Sequence, residues 1–291
     1  MQRNSKTQLD WKKIVKDSSL ADWIYKVLLV GCCLSLTTTA SSDPVPSVEQ
    51  IVDRTEQSTY YQGRDGRAHV SMVITDQQGR NRRRSFIILR WDRAGAGEAP
   101  DSQGAQKYYI HLQRPADVRN TVFMVWKERE RDDDRWLYLP ALDLVKRIAA
   151  GDKRTSFLGS DFFYEDISGR STDEDTHELV ELTDDYYILK NVPKNPASVE
   201  FSYYMMWVHR TSFIPVRAEY FNAGGTSYRV YDALEVSAES GYHTVVKSRM
   251  KDARSQSETT LKFSRVQYDI NLPENIFSER YLRNPPVEYL R

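Results

Sequence analysis

Three carboxylates that lie close together in the sequence, Asp161, Glu165 and Asp166, are the side chains best placed to do acid–base chemistry. Two carboxyl groups roughly 5–10 Å apart across a cleft could act as a glycosidase pair. Asp161 and Glu165, however, are spaced i and i+4, which predicts that both lie on one exposed face of a short helix. Ser160 or Asp161 could cap that helix, and acids in its first turn suit the helix dipole. The spacing therefore favours a structural or docking role over catalysis.

The histidines are isolated along the chain, and none lies at metal-ligand spacing from another His or a Cys. The chain also contains neither a Gly-rich phosphate loop nor a G-x-S-x-G nucleophile elbow. The sequence therefore predicts no metal and no cofactor. The histidines are His69, His111, His177, His209 and His243.

Charge is balanced, with 41 basic and 41 acidic residues, and residues 1–40 carry more basic than acidic side chains. The rest of the chain is thus slightly acidic and contains no long basic block. Arg82, Arg83 and Arg84 form the densest basic cluster, which is typical of solvated strand residues. This composition argues against nucleic acid as a partner.

The N-terminus has the order of a secretory signal. A basic segment precedes the apolar run Val27–Leu36, and small residues follow up to Ala40. The run is too short to span a bilayer, which takes roughly 20 residues. We expect a signal peptide over residues 1–40 and one mature domain over residues 41–291. An uncleaved anchor is one alternative, and a lipobox at Leu29–Cys32 with acylation of Cys32 is another.

Both cysteines, Cys32 and Cys33, lie within this signal. The mature chain would then have no disulfide, although it would enter an oxidising compartment. Its stability must come from core packing, for which about 250 residues suffice.

The mature chain is nearly all strand after one helix. Ser47 and Gln50 form a predicted capping box before the apolar positions 48, 51 and 52. Residues 68–75 and 84–91 flank a turn and predict a hairpin. Ten or more antiparallel strands must curl or close, because flat sheets of that size are disfavoured. A short terminal helix is predicted at residues 271–283. Further strands are predicted at residues 107–112, 121–127, 136–139, 144–149, 177–182, 186–191, 198–209, 214–222, 227–236, 243–253 and 258–268.

Along residues 199–209, both faces of the predicted strand carry apolar residues. Half-buried antiparallel strands usually alternate apolar with polar residues. The pattern predicts either an ordinary thick core or a sheet that lines an apolar cavity.

Residues 135–169 carry the most distinctive motif, RWLYLPALDLVKRIAAGDKRTSFLGSDFFYEDISG. The motif resembles the LolA-like family of outer-membrane lipoprotein-sorting proteins, in which W-x-Y-x-P precedes R-I and then F-x-G-S-D-x-x-Y-E-D. The ending F-x-E-R-Y-L is also similar to that family's. The matching positions are Trp136, Tyr138, Pro140, Arg147, Ile148, Phe157, Gly159, Ser160, Asp161, Tyr164, Glu165 and Asp166.

The resemblance implies a mainly β fold, a curved antiparallel sheet that forms an unclosed half-barrel with a few helices over its concave face. It makes residues 157–164 part of a lid over lipid chains, with Arg147, Lys153 and Arg154 near the mouth. The alternative is that these aromatic residues are ordinary core. The side chains expected to bind the ligand are Phe123, Trp126, Trp136, Phe157, Phe162, Phe163, Tyr164, Met205 and Trp207.

The function implied by the resemblance is that of a non-enzymatic periplasmic carrier. It would bind lipid or lipoprotein acyl chains in an apolar cavity and transfer them between envelope membranes, with an inner-membrane transporter as partner. Two alternatives stay open. One is an envelope-stress sensor or accessory subunit with the same fold, and the other is a cell-envelope hydrolase.

Overall fold

The first helix begins where its capping box predicts. In the computed structural model, which describes residues 44–93, 105–128 and 131–291, helix α1 spans Val48–Tyr60. The Ser47 side chain accepts from the amide of Gln50, and the Gln50 side chain accepts from the amide of Ser47. The predicted signal peptide and Cys32 lie outside the described residues.

All the predicted strands are present, and they form one antiparallel sheet of 13 strands. The predicted hairpin is β1–β2. The strands are β1 (Asp65–Thr75), β2 (Asn81–Asp92), β3 (Gln106–Arg114), β4 (Val122–Lys127), β5 (Asp134–Leu139), β6 (Leu144–Ile148), β7 (Asp175–Leu182), β8 (Tyr186–Pro193), β9 (Tyr203–His209), β10 (Pro215–Phe221), β11 (Ser227–Glu239), β12 (Tyr242–Asp252) and β13 (Ser257–Tyr268).

The sheet does not close on itself. Its strand order is β6-β5-β4-β3-β2-β1-β13-β12-β11-β10-β9-β8-β7, so β6 and β7 are its two edges. Strand β1 pairs with β13, which joins the two halves of the chain in the middle of the sheet. The predicted mainly β, unclosed fold with few short helices is confirmed.

Residues 149–174 connect the two edges, and we call them the crossing segment. Because β6 and β7 lie at opposite ends of the sheet, this segment must cross one face of it. It contains the short helix α2 (Tyr164–Ser168) and lies over β2, β4, β11 and β13. The face that it covers is the inner face, and the opposite face is the outer face.

The inner face carries two clusters of buried side chains. Under the crossing segment, Phe157 and Phe162 pack with residues of β1–β4, such as Phe86 and Phe123. Beside it, Ile51 of α1 packs on β8 and β9. The crossing segment and α1 therefore cover different parts of the inner face.

The outer face of β2–β5 is covered by the C-terminal residues. Ile276, Phe277 and Leu282 pack there against residues such as Tyr109 and Trp136. The predicted terminal helix consists of two short pieces, a 3-10 helix at Glu274–Phe277 and α3 (Arg280–Arg283). Strands β2–β4 are therefore buried on both faces, which explains their nearly continuous apolar sequences.

Strand β9 begins later than predicted. The sequence indicates a strand from residue 198, whereas residues 196–198 form a 3-10 helix and β9 starts at Tyr203. Pro196 favours this local turn because proline fits the first position of a helical turn. The apolar character of Val199 and Phe201 has a local cause, since both pack in a small cluster with Tyr204, Tyr220 and Tyr228.

Candidate functional site

A cavity of about 370 Å³ lies between α1, the crossing segment and the inner face of the sheet. Its apolar wall includes Val52 from α1, Phe162 and Ile167 from the crossing segment, and Met206 and Met250 from the sheet. Ligand pockets in proteins usually measure roughly 300–1,000 Å³. The cavity is therefore large enough for one small apolar ligand or one chain.

Tyrosines supply much of the remaining wall. Three of the six have bonded hydroxyls, namely Tyr108 to Gln106, Tyr204 to Asp175 and Tyr268 to Thr244, and the side chain of Ser248 lies near the Tyr231 hydroxyl. The hydroxyls of Tyr60 and Tyr220 form no hydrogen bond with another described residue, and both side chains are half-buried. The six tyrosines are Tyr60, Tyr108, Tyr204, Tyr220, Tyr231 and Tyr268.

The C-terminal end of α1 is anchored to the sheet by Lys127 of β4. The Lys127 Nζ atom is 3.8 Å from a carboxylate oxygen of Glu56 and 5.2 Å from the centre of the Tyr60 ring. Burial lowers the pKa of Lys127 and raises the pKa of Glu56. These contacts hold α1 over the cavity.

The crossing segment is fixed to the middle of the sheet through Asp161. A carboxylate oxygen of Asp161 accepts from the Thr259 hydroxyl at 2.6 Å, and the Asp161 amide donates to the same hydroxyl at 3.0 Å. The other carboxylate oxygen accepts from Ser257. Both partners lie on β13, which is almost 100 residues away in the sequence.

A second contact joins Asp166 to β11. The Arg229 guanidinium is fully buried, and it donates to both carboxylate oxygens of Asp166 and to the carbonyl of Asp161. The Phe163 ring lies over the same guanidinium, with 4.0 Å between the guanidinium carbon and the ring centre. Asp166 and Phe163 therefore enclose the Arg229 charge.

Glu165 is the centre of a buried ionic network. Its carboxylate contacts Arg154 Nη1 at 2.8 Å, Lys153 Nζ at 3.0 Å and Arg170 Nη1 at 3.3 Å. Burial alone raises the pKa of Glu165, but the three cations outweigh it and lower the pKa to about 2. Glu200, Glu174 and Asp175 accept from the same cations. A carboxylate held ionised in this way fixes the segment and is a poor proton donor.

The prediction that Asp161 and Glu165 share an exposed helical face is wrong. Asp161 precedes α2, its side chain is buried against β13, and Glu165 is 1% exposed. Neither Ser160 nor Asp161 caps the helix, since the residue before it is Phe163, whose amide donates to Asp166. The predicted structural role of the three acids agrees with these contacts, although their partners come from distant strands.

Among the predicted ligand-binding residues, Phe162 lines the cavity. Phe123, Phe157 and Tyr164 pack against one another in the core under the crossing segment, with ring centres 4.9–5.6 Å apart. Phe163 covers Arg229 and faces a shallow surface depression near Glu200. Four of these five residues belong to the crossing segment and Phe123 lies under it, and Phe162 is the one of the five that lines the cavity.

The other four lie on the outer face. Trp126 and Trp136 have ring centres 4.8 Å apart under the C-terminal residues, and Trp126 donates to the carbonyl of Phe277. Met205 and Trp207 point away from the cavity, because Tyr204 and Met206 occupy the inner positions of β9. The size of these side chains and the alternation of apolar residues indicate that they are buried. The face of the sheet on which each one lies depends on the strand register.

Three further motif residues precede the crossing segment. Tyr138 is buried on the outer face, and Pro140 begins a 3-10 helix directly after β5. Arg147 lies on the outer face of β6, where it bonds Asp134 and covers Trp136. It therefore does not line the cavity, whereas Arg154 does.

Two motif residues shape the turn before Asp161. Gly159 has a φ of 75°, which favours glycine, and its carbonyl accepts from Arg82 at 3.1 Å. The Ser160 hydroxyl donates to the carbonyl of Phe157 at 2.7 Å.

Sequence reasoning missed the residues of α1 that line the cavity, such as Thr55 and Tyr60, and the inner tyrosines Tyr204 and Tyr220. A signal for α1 was present, because Val48, Ile51 and Val52 mark one apolar face. The position of Tyr60 at the end of α1 indicates nothing about the cavity until the fold is known.

Within residues 44–93, 105–128 and 131–291, no cluster of three or more His, Cys, Asp or Glu could hold a metal ion. No helix in these same ranges is long and apolar enough to cross a bilayer.

The fold is that of the LolA superfamily. A LolA superfamily protein from Nitrosomonas europaea matches with a TM-score of 0.61 and 19% identity, over 81% of this chain and 100% of that one. A domain from Vibrio parahaemolyticus, described as an outer-membrane lipoprotein-sorting protein, matches with a TM-score of 0.70 and 22% identity, over 80% and 97%. The resemblance found in the sequence is thereby confirmed.

One of the similar structures also assigns the chain to a particular family within this fold class. A DUF1329 family protein from Desulfovibrio piger is 30% identical, with a TM-score of 0.72, over 83% of this chain and 100% of that one. This chain belongs to the DUF1329 family. A family model described as an uncharacterized protein matches residues 104–284, and no curated protein matches the chain.

Proposed function

We propose that the protein is a periplasmic carrier that binds lipid or lipoprotein acyl chains in the cavity and transfers them between envelope membranes. The observation that carries the proposal is the apolar cavity between α1, the crossing segment and the sheet. The LolA superfamily fold supports it, as does the signal-like segment over residues 1–40.

Burial of a lipid chain in an apolar cavity releases enough free energy for binding, and no covalent bond to the protein is needed. Each buried CH₂ group of a lipid chain contributes about 0.8 kcal/mol, so ten buried carbons contribute on the order of 8 kcal/mol before costs. Release then requires that α1 or the crossing segment moves, or that a partner competes for the chain. From the family resemblance we propose an inner-membrane transporter as the partner for loading.

Lipid transfer between vesicles tests this function. Donor vesicles carry a fluorescent acyl-chain lipid with a quencher, and acceptor vesicles carry neither. The carrier should raise the transfer rate in proportion to its concentration. A rate equal to that of spontaneous exchange would contradict the proposal.

Hydrolysis of cell-envelope polymers is measured in parallel, because it separates a carrier from a hydrolase. A carrier should release no product, in the natural protein and in Asp161→Asn alike. Turnover by the natural protein that Asp161→Asn abolishes would support the hydrolase instead.

A further inference from the structure

Two unbonded hydroxyls inside the cavity indicate what kind of ligand it takes. Tyr60 is the last residue of α1. Tyr220 lies on the inner face of β10, and its ring centre is 5.1 Å from that of Tyr204. Neither hydroxyl forms a hydrogen bond with another described residue, and both residues line the cavity. A tyrosine hydroxyl in an apolar setting usually finds a hydrogen-bond partner.

Tyr60, Tyr220 and Asp166 of the crossing segment all line the cavity, and the charge of Asp166 acts on both hydroxyls. Burial raises the pKa of Tyr220 to about 12, and the negative charge of Asp166 adds to this effect. Burial also raises the pKa of Tyr60, to which Asp166, Tyr231 and Tyr220 contribute. The two groups therefore stay protonated and can each donate a hydrogen bond.

The cations around the cavity are already engaged. Arg154 is bonded to Glu165 and Glu200, and Arg170 is bonded to Asp175. Arg90 donates to backbone carbonyls at the end of α1 and lies 3.2 Å from Asp92. Among the described residues, each of these three arginines already has a carboxylate partner, so none offers an unpaired charge to a ligand carboxylate.

The fourth arginine of the lining, Arg67, directs its guanidinium away from the cavity. Its guanidinium donates to the carbonyl of Tyr289 at 3.2 Å and to the side chain of Gln267. It therefore points to the outer face, where Tyr289 packs.

We propose that the cavity selects a neutral lipid chain whose hydroxyl or carbonyl oxygen accepts hydrogen bonds from Tyr60 and Tyr220, and disfavours a free fatty acid anion. This inference rests on the proposed function and specifies its ligand class. An anion would lose its hydration beside Asp166 with no cation to replace it, which is costly. A neutral oxygen loses less and gains the two free donors.

The experiment compares 1-dodecanol, methyl laurate and sodium laurate, which share a similar chain, at pH 8. Each displaces the neutral probe N-phenyl-1-naphthylamine from the full protein. We expect the alcohol or the ester to bind at least about tenfold more tightly than laurate. The alcohol and the ester together distinguish a hydroxyl from a carbonyl as the bonded group.

Variants assign the effect to the two hydroxyls. The double variant Tyr60→Phe/Tyr220→Phe should weaken binding of the preferred neutral ligand by about tenfold and leave laurate binding unchanged. Tyr268→Phe is the matched control, because its hydroxyl is already bonded to the Thr244 hydroxyl at 2.8 Å. It should have no such effect.

Two results overturn the inference alone, namely laurate binding as tightly as the neutral ligands, or a double variant that binds them like the natural protein. If neither the probe nor any chain binds, the carrier function itself fails together with this inference.

Discussion

Asp166 in the crossing segment forms an ion pair with Arg229 of β11, and the arginine side chain is fully buried. This contact joins the element that covers the inner face to the strand that forms its floor. Tyr220, whose ring lies 5.2 Å from the same guanidinium, lines the cavity. The pair therefore couples the position of the crossing segment to the wall of the binding site.

Asp166→Asn should destabilise the fold strongly. The substitution leaves the Arg229 cation buried without its counter-charge, and breaking a buried pair costs about 3–5 kcal/mol. Urea unfolding measures the free energy of unfolding. The control is Arg217→Gln, which breaks a pair with Asp232 and whose guanidinium is 41% exposed. Since exposed pairs contribute about 0–1 kcal/mol, an equal loss in both variants would contradict the coupling.

Stability should fall in acid because of Glu165. Its pKa is about 2 in the folded protein, below the ordinary value of 4.5, so the stabilisation is present above about pH 4.5 and is lost as the pH falls towards 2. The loss is on the order of 3 kcal/mol. Urea unfolding at several pH values checks this.

The matched variants are Glu165→Gln and Glu178→Gln, whose residue is exposed on β7. Glu165→Gln should be less stable at pH 7 and show a flatter slope between pH 5 and 2. Glu178→Gln should follow the natural protein. An unchanged slope in Glu165→Gln would mean that the network does not stabilise the fold.

Two neighbouring methionines test which face of β9 meets the ligand. Met206 lines the cavity, whereas Met205 occupies the opposite face. Met206→Trp should fill the cavity and weaken binding of the neutral probe by at least about tenfold, since a bulky ring takes the space of the ligand. Met205→Trp should bind like the natural protein. Loss of binding in Met205→Trp alone, with the fold intact by circular dichroism, would place the ligand on the outer face.

Substitution of Trp136 tests whether bulky residues on the outer face of the sheet take part in ligand binding. Trp136→Ala should cost about 3–5 kcal/mol of unfolding free energy, because the ring is buried under the C-terminal residues. Binding of the probe to the folded variant should stay unchanged. Phe162→Ala, which removes part of the cavity wall, should weaken binding by about tenfold. Reduced binding in Trp136→Ala at full folding would restore the role that the sequence predicted for it.

Local signals predicted much of the fold. The Ser47–Gln50 capping box located the start of α1, and the alternation of apolar residues located every strand within a few residues. The motif around Gly159–Asp166 lies in the crossing segment, where its glycine forms the turn and its acids contact distant strands.

The site was harder to predict, because its residues meet through distant pairings. Asp161 contacts Thr259, and Arg229 contacts Asp166, so helical spacing alone gave the wrong exposure for Asp161 and Glu165. The side chains of β9 were assigned to the ligand site because they are bulky. Which of them lie on the inner face is decided by the register between β9 and β10.

Native mass spectrometry of the full protein, purified from the envelope fraction of its own cells and followed by lipid extraction, tests the carrier function most directly. We predict one co-purified neutral lipid or acyl chain per protein, which Met206→Trp lacks and Met205→Trp retains. A protein that is empty in all three forms, and that also fails to bind the neutral probe, would contradict the account and identify the inner face as ordinary core.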